Sequence, residues 1–573
     1  MKPKSKPADE LFERYGGIDG NEGYNLAASV WGHRLRTGQH WMEYLLEFFN
    51  VLAGYDFQLG RGITHEEGES PDEYKKFHRI GLRRFVFYDE REKTRHPHDD
   101  EAKERLHQRL KEDVLQGSGN FSDEKTIQLI RTLFRSFSAV EAKRSWYAKS
   151  LFPAHKDLLF WEATRKGATT RRSSASEEET SEMSAKKLDE GVRYDQRNFF
   201  ARGGELYYLI LSAGTRHNPE WRKEIERGLT ELVQGRNQAL GELASIIEST
   251  WENCYDNGDL EEESGPLGWI PDPDAPINET IAEDVKRFLE ADLDPLEALT
   301  LLAHLICFHL SLYIYSRADR VLDALPDGSG KNGQAASPFL VDMLTSTGDN
   351  TLRQVSATLF KEKEAHIEEC GRRFIEEKVE RWCEPIRIRN MADSVPDVFS
   401  RAENYFGLGR LRSTSDYDEK CDQLITAAES GELKPEDFQT EFTAALQDLL
   451  MKDFRKNFLP VHRKLTKSVQ FVAPHKGPSA RYVLGDNLLK AITLSNATSE
   501  ITFEQFLDRM YRRYKIVVGD RHARESGLFK QQRINSEYYL RNRAALLERM
   551  KLAGLAQEFS DATAMVKPSR HVD

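Results

Sequence analysis

Cysteine is scarce in this chain, and its placement excludes two kinds of scaffold. The 573 residues include five cysteines, odd in number and widely spaced, at positions 254, 307, 370, 383 and 421. A disulfide framework or a zinc ribbon needs closely paired cysteines, so both are excluded. This usage is typical of a reducing compartment. Residues 1–17 contain lysines with no apolar run behind them, so we expect no signal peptide and a cytoplasmic location.

Long hydrophobic runs are also rare. The segment 299–315, LTLLAHLICFHLSLYIY, is slightly short for a membrane span and contains two histidines. Asp294 and Pro295 in front of it are helix-start signals. We therefore predict a helix buried in a helical domain, and no membrane contact. The five-residue spacing of His304 and His309 does not suit a metal pair on one helical face, so both are interpreted as core histidines.

Complete catalytic and nucleotide-binding motifs are missing as well. The sequence HPHDD at 96–100 opens like a metallo-hydrolase loop, but Glu101 stands where the last histidine is needed. The loop 328–333, GSGKNG, lacks the first glycine and the Ser or Thr of a phosphate loop. Residues 89–93 offer carboxylates and a lysine without the acid-x-lysine spacing of a nuclease core. We predict no metal, no cofactor and no catalytic residue.

What the chain does contain is apolar residues at helical spacing, which predict a mainly α, multidomain protein. Short strands are expected at 85–88 and 338–342. The chain length predicts three or four domains. We divide it into an N-terminal helical domain with a short strand (1–163), a flexible linker with little to bury (164–190), a helical domain (191–325), a helical domain with a short strand (326–470) and a basic winged-helix-like α+β domain (471–573).

One polar motif interrupts an apolar helical segment. The sequence Arg202-Gly203-Gly204-Glu205 lies within FFARGGELYYLIL, residues 199–211. Its glycines suit a close helix crossing or a kink. The sequence is equally compatible with a structural and a functional role for this motif.

Charge is distributed unevenly along the chain. The whole sequence carries a formal net charge of −12. Residues 451–573 contain 23 basic and 12 acidic residues and so carry +11, which leaves −23 on residues 1–450. Such an asymmetry favours a polyanionic partner for the basic part.

The basic C-terminal part has the element order of a winged helix. The predicted elements are a helix capped by Asp486, a helix over 502–514, a strand over 515–519, a helix from Asn535 or Ser536 to a stop at Gly554, and two strands, 555–559 and 564–566, around Ser560-Asp561. A helix followed by two short strands is typical of a recognition helix and its wing.

Cations follow these C-terminal elements and suit phosphate contacts on both sides of a groove. The candidate nucleic-acid-binding residues are Arg512, Arg513, Lys515, Arg541, Arg543, Arg549, Lys551 and Lys567. Winged helices also dock proteins, so the predicted partner is nucleic acid, above all duplex DNA, with a protein partner as the alternative.

Three parts of the sequence resemble proteins encoded in bacterial anti-phage defence clusters of the methylation-associated or phosphorothioation-linked restriction type. They are 146–162 (WYAKSLFPAHKDLLFWE), 197–214 (RNFFARGGELYYLILSAG) and the run from 481 to 568. The resemblance implies a role beside other defence-system subunits. The sequence thus predicts a non-catalytic, DNA-associated subunit of such a complex. The alternatives are a divergent metal-dependent nuclease and a protein scaffold whose winged helix docks a partner.

Overall fold

The computed structural model is mainly helical, which confirms the predicted fold class at that level. The structure describes residues 30–33, 35, 39–63, 72–87, 99–113, 123–137, 151–161, 202–235, 237–254, 263–324, 337–344, 351–383, 391–406, 417–430, 432, 434–473, 480–532, 534–559 and 563–567. The predicted linker 164–190, the loop 328–333 and residues 89–98 lie outside the described residues.

The elements of the first half are α1 (Trp41–Gly54), β1 (Glu73–Lys76), α2 (Ile80–Phe87), α3 (Asp99–Asp113), α4 (Asp123–Ser136), α5 (Gly203–Gly214), α6 (Pro219–Gln234), α7 (Gln238–Glu252), β2 (Glu263–Pro266), α8 (Pro276–Leu289) and α9 (Pro295–Ala324). Those of the second half are β3 (Phe339–Leu340), α10 (Thr351–Cys383), α11 (Met391–Phe406), α12 (Tyr417–Glu429), α13 (Pro435–Asp453), a π-helical turn (Phe454–Phe458), α14 (Leu459–Ser468), α15 (Asp486–Asn496), β4 (Ile501–Thr502), α16 (Phe503–Tyr514), β5 (Ile516–Val517), α17 (Asp520–Glu525), α18 (Leu528–Gln532), α19 (Ser536–Leu552), β6 (Ala556–Glu558) and β7 (Ala564–Val566).

The helix α9 lies at the centre of the main core and packs against α1, α10, α14 and α15. It begins at Pro295, and the Asp294 carboxylate accepts a hydrogen bond from the Leu296 N–H at 2.9 Å, as expected for a capped start. This helix is long and apolar enough to cross a bilayer, but 94% of its most apolar window is buried inside the protein. The prediction of a buried helix is confirmed.

A second core contains α2, α3, α4 and α7, and it corrects one prediction. Residues 85–87, expected in a strand over 85–88, belong to the helix α2. Phe85 and Val86 are buried there, and Phe85 packs edge-on against Trp251 at 6.1 Å between ring centroids. The strand prediction is wrong because a short apolar run does not distinguish a buried strand from a buried helix.

Among the residues that the structure describes, the strands are short and form three small sheets. β1 pairs antiparallel with β2, and β3 pairs in parallel with β5, with Phe339 opposite Ile516. The strand predicted at 338–342 is thereby confirmed at Phe339–Leu340. The third sheet is antiparallel in the order β4-β7-β6. The pairing of β3 with β5 joins residues that we assigned to different domains; the domain boundaries themselves stay a prediction.

Candidate nucleic-acid interface

The helix α16 is fixed by its N-terminal cap and its buried face. Thr502 accepts a hydrogen bond from the Gln505 N–H at 3.1 Å, and the Gln505 side chain accepts from the Thr502 N–H at 2.9 Å. This reciprocal pair satisfies two of the free amide donors of the first turn. Phe506 and Met510 are buried on one face, which leaves Arg512 exposed at the end of the helix. Lys515 closes the helix in the left-handed conformation, with φ of 58°.

The helix α19 begins and ends where the sequence predicted. Asn535 is its N-cap and accepts a hydrogen bond from the Glu537 N–H at 3.0 Å, and Gly554 follows its end with φ of +70°. The predicted cap of α15 is off by one residue, because Asp486 is the first residue of that helix and Gly485 is its N-cap.

A buried asparagine anchors α19 to the rest of the protein. The Asn542 amide donates to the carbonyl oxygens of Val341 at 2.8 Å and Val518 at 2.9 Å, and its oxygen accepts from the Met343 N–H at 2.7 Å. The side chain is fully buried. Asn542 therefore holds the inner face of α19 against the strands β3 and β5, so that the opposite face is presented outward.

Most of the eight candidate cations carry internal ion pairs. The pairs are Arg512 with Asp508 (3.0 Å), Arg541 with Glu537, Arg543 with Glu504, Arg549 with Asp486 (2.7 Å), Lys551 with Glu548 (2.7 Å) and Glu558 (2.9 Å), and Lys567 with Glu500 (3.2 Å). Lys515 makes no ion pair within the described part of the chain, and its ammonium lies 5.4 Å from the Tyr511 ring centroid. Ion pairs at this level of exposure contribute only about 0–1 kcal/mol each, so a phosphate can replace the carboxylate.

Arg513 is placed differently from the other seven cations. Its guanidinium donates to the carboxylates of Glu283 and Asp284 and, at 3.1 Å, to the Thr280 carbonyl oxygen, all on α8. Asp284 is fully buried and also accepts from the Tyr514 hydroxyl at 2.8 Å. These neighbouring carboxylates, foremost that of Asp284, raise the pKa of the Arg513 guanidinium despite its burial. Arg513 therefore joins α16 to α8 and does not face solvent with the others.

Three apolar side chains of the C-terminal region are exposed to solvent. Leu552, at the end of α19, is 88% exposed, and Leu540 and Phe559 are also exposed. The Lys567 ammonium lies 6.0 Å from the Phe559 ring centroid, so the cationic and apolar groups are neighbours around the β6–β7 hairpin.

The Arg202-Gly203-Gly204-Glu205 motif has a structural explanation. A Cβ on Gly204 would lie 2.4 Å from the backbone nitrogen of Phe48, and one on Gly203 would lie 2.3 Å from the Tyr44 ring. The glycines thus permit the close crossing of α1 and α5, as one of the two structural interpretations expected.

The carboxylate of this motif connects several chain segments. Glu205 accepts from His33 Nε2 at 3.0 Å, from Arg202 at 3.0 Å, from the Gly268 N–H at 2.8 Å and from the Tyr74 hydroxyl at 3.3 Å. Burial alone would raise its pKa, but these partners, led by Arg202, lower it to about 2. Arg202 also donates to the second oxygen at 3.2 Å, so Glu205 accepts five hydrogen bonds in all. A carboxylate held in this way has a structural role.

The two core histidines are confirmed, and each is held by hydrogen bonds. His309 Nδ1 lies 2.9 Å from the Tyr207 hydroxyl, and its Nε2 lies 3.2 Å from Asp284. His304 Nδ1 donates to the Thr300 carbonyl oxygen at 2.8 Å. Among the described residues, no three His, Cys, Asp or Glu side chains converge on a point that could hold a metal ion. The five cysteines, all within the described residues, are buried, and none of them forms a disulfide.

Sequence reasoning missed the partners of Arg513 and the role of Asn542. Asn542 and Arg513 make these contacts with residues about 200 positions or more away in the chain. The only local signal was a polar residue, Asn542, on the buried face with Tyr539, Leu546 and Met550.

Comparisons with protein-family models, with curated proteins and with solved structures find no match for this chain.

Proposed function

We propose that residues 486–567 form a winged-helix unit that binds duplex DNA with little sequence preference. We further propose that the chain is a non-catalytic, cytoplasmic subunit of a bacterial anti-phage defence complex, on the basis of the resemblance given above. In this proposal the acidic helical body contacts the other defence-system subunits. The observation that carries the DNA-binding part is the set of solvent-accessible cations on α16, on α19 and at Lys567 after the β6–β7 hairpin.

The arrangement of the C-terminal elements supports the winged-helix part. A helix (α15), a strand (β4), a helix (α16), a further helix (α19) and a two-stranded hairpin follow in order, and β4 pairs with β7, the second strand of that hairpin. In this fold the last helix enters the major groove and the hairpin serves as the wing. The insertion of β5, α17 and α18 between α16 and α19 departs from the simplest form.

The exposed cations support the choice of a phosphate-bearing partner. Arg512 and Arg541 are 72% and 65% exposed, and each pairs with a carboxylate four residues earlier on its own helix. A DNA phosphate carries the same single negative charge as either carboxylate, but its binding also releases condensed counterions. Arg513 is not among the proposed DNA contacts, because its guanidinium already donates to the carboxylates of Glu283 and Asp284 on α8.

The test is the affinity of the full chain for a short fluorescent duplex, measured by anisotropy over a salt series. Replacing Arg512 and Arg541 by Ala should weaken binding and reduce the log–log salt slope by about two. The matched control replaces Lys223 and Arg227 on α6, which are as exposed and also pair along their own helix. No binding at about 50 mM salt, or equal losses in both double variants, would contradict the proposal.

A protein partner is the second candidate, favoured by the exposed apolar side chains. Leu540, Leu552 and Phe559 contribute nothing to phosphate binding, whereas exposed apolar groups among cations suit a protein surface. If this candidate is right, Leu552→Ser weakens capture of a defence-system subunit and leaves DNA affinity unchanged. If the DNA proposal is right, the arginine variants have the larger effect on the affinity for DNA.

A further inference from the structure

Two arginines from different helices meet at one carboxylate. The Arg512 guanidinium, on α16, lies 3.0 Å from Asp508 of its own helix, and the Arg521 guanidinium, on α17, lies 3.3 Å from the other oxygen of the same carboxylate. The side chains of Arg512 and Arg521 are 72% and 59% exposed, whereas that of Asp508 is 22% exposed. Each arginine therefore contacts Asp508 with one part of its fork and keeps further N–H donors accessible to solvent.

Asp508 is held in place by a buried histidine of α17. His522 is 2% exposed, and its Nε2 donates to Asp508 at 3.1 Å. The His522 ring also packs against the buried Tyr511 ring of α16, with 5.1 Å between the ring centroids. The hydrogen bond from His522, followed by the charges of the two arginines, lowers the pKa of Asp508 and keeps its carboxylate charged. Because His522 fixes the carboxylate, the carboxylate in turn fixes both guanidiniums.

The charges at this position do not balance. Arg512 and Arg521 share one carboxylate, so two positive charges less one negative charge leave this group with a formal charge of +1. Lys515 adds an exposed cation near the end of α16, with its ammonium 5.4 Å from the Tyr511 ring centroid. A local excess of positive charge on an exposed surface attracts an anion.

The other arginine of α17 has different surroundings. Arg524 is 56% exposed and pairs with Asp520 of its own helix at 3.7 Å. Its guanidinium also lies 4.0 Å from the Phe529 ring centroid, so an aromatic ring covers one of its faces. Arg521 and Arg524 are thus nearly equal in exposure and lie on one short helix, but only Arg521 shares its carboxylate with a second arginine.

We propose that Arg512 and Arg521 together bind one phosphate of the DNA backbone, and that Asp508 is the positioning residue that holds both guanidiniums. A backbone phosphate carries one negative charge, which equals the excess of this group, and its oxygens accept N–H donors from two planar forks. Asp508 stays in place because His522 holds it, and the phosphate binds the N–H donors that face solvent. This inference deepens the proposed DNA-binding function and rests on it. It adds Arg521, which is not among the eight candidate cations, to the binding surface.

The test is the affinity of the full chain for a short fluorescent duplex, with Arg521→Ala and Arg524→Ala as matched single variants. We expect Arg521→Ala to lower the affinity about ten-fold at about 50 mM salt, because a hydrogen-bonded charge contact is lost. Arg524→Ala should lower it less than about two-fold, because only a distant charge is removed. Thermal unfolding of both variants should match that of the unaltered protein, since exposed ion pairs contribute little to stability.

The salt dependence shows whether the two arginines share a phosphate. Replacing Arg512 and Arg521 together should reduce the log–log salt slope by about 0.9, the value for one phosphate, whereas replacing Arg512 and Arg541 should reduce it by about two. A reduction of about 1.8 in the first double variant would indicate two separate phosphates and would overturn the shared site.

The single variants separate this inference from the function on which it rests. Equal losses of affinity in Arg521→Ala and Arg524→Ala, or no loss in Arg521→Ala, would overturn the shared site and leave the DNA-binding function standing. Absence of duplex binding by the unaltered protein would overturn both.

Discussion

Arg512 and Arg513 are neighbours in the sequence and differ completely in their surroundings. Arg512 is 72% exposed and pairs with Asp508 of its own helix, whereas Arg513 is 14% exposed and binds Glu283 and Asp284 of α8. One step along a helix rotates a side chain by about 100°, enough to move it from solvent into an interface. Net charge therefore identifies a basic region, but only the helical face decides which cations can meet a ligand.

The two environments also differ in what their ion pairs do. In the interface between α8 and α16, Asp284 receives hydrogen bonds from Arg513, Tyr514 and His309. Removing one member of such a buried network leaves an uncompensated charge. On the outer face of α19, the carboxylates lie among solvent-exposed groups and can be exchanged for phosphates. The first set joins α16 to α8, whereas the second set consists of solvent-accessible pairs whose loss costs little.

The largest expected effect comes from breaking the buried network. Asp284→Asn should lower the free energy of unfolding by about 3–5 kcal/mol, because the Arg513 guanidinium keeps its charge and loses a buried counter-ion. Glu537→Gln, which removes the exposed partner of Arg541, should change it by less than about 1 kcal/mol. Urea unfolding of both variants gives the comparison. Equal effects would show that the two environments do not differ as described.

A second contrast concerns buried and exposed carboxyls. Glu47 is buried and accepts from Gln39 at 2.9 Å and from the Gly204 N–H at 2.8 Å. Burial outweighs these bonds and raises its pKa from 4.5 to about 7. The folded state then holds this proton more tightly than the unfolded state, so its contribution to stability is complete below about pH 4.5 and is lost as the pH rises through about 7.

The pH dependence of unfolding should reveal this group. We expect Glu47→Gln to remove about 2 kcal/mol of the decline in unfolding free energy between pH 5 and pH 8. The exposed Glu231, replaced by Gln, serves as the control and should leave the decline unchanged. Parallel pH curves for the unaltered protein and the Glu47 variant would contradict the raised pKa.

An effect on stability smaller than that of Asp284→Asn is expected where two helices cross closely. Gly204→Ala should lower the free energy of unfolding by about 1–3 kcal/mol, because the added Cβ meets the Phe48 backbone at 2.4 Å. Gly519, in the C-terminal region, is a matched control, because its nearest neighbour to an added Cβ lies at an ordinary 3.6 Å. Thermal unfolding measures both, and a Gly519→Ala variant as unstable as Gly204→Ala would argue against the close-crossing explanation.

The sequence was most informative where structure depends on local signals. The Asn535 cap, the Gly554 stop and the strands near 556–558 and 564–566 all follow from residues within a few positions. The pairing of β3 with β5 was not predictable, because neither short strand carries a mark that identifies a partner about 180 residues away. The strand expected at 85–88 failed for a related reason, since the burial of Phe85 against Trp251 is also non-local.

The candidate site shows the same limit. All eight cations could be named from the sequence, but the separation of Arg513 from the other seven required the position of α8. The interpretation of Arg202-Gly203-Gly204-Glu205 stayed open for the same reason, because the crossing helix lies more than 150 residues earlier in the chain.

The most direct test of the central claim is arginine-specific labelling of the full chain with phenylglyoxal, with and without a saturating DNA duplex, read by mass spectrometry. We predict that Arg512 and Arg541 react in the free protein and are protected by DNA, that Arg227 on α6 reacts equally in both states, and that Arg513 reacts slowly in both. Equal labelling of Arg512 and Arg541 with and without DNA would contradict the assignment of this face to nucleic acid.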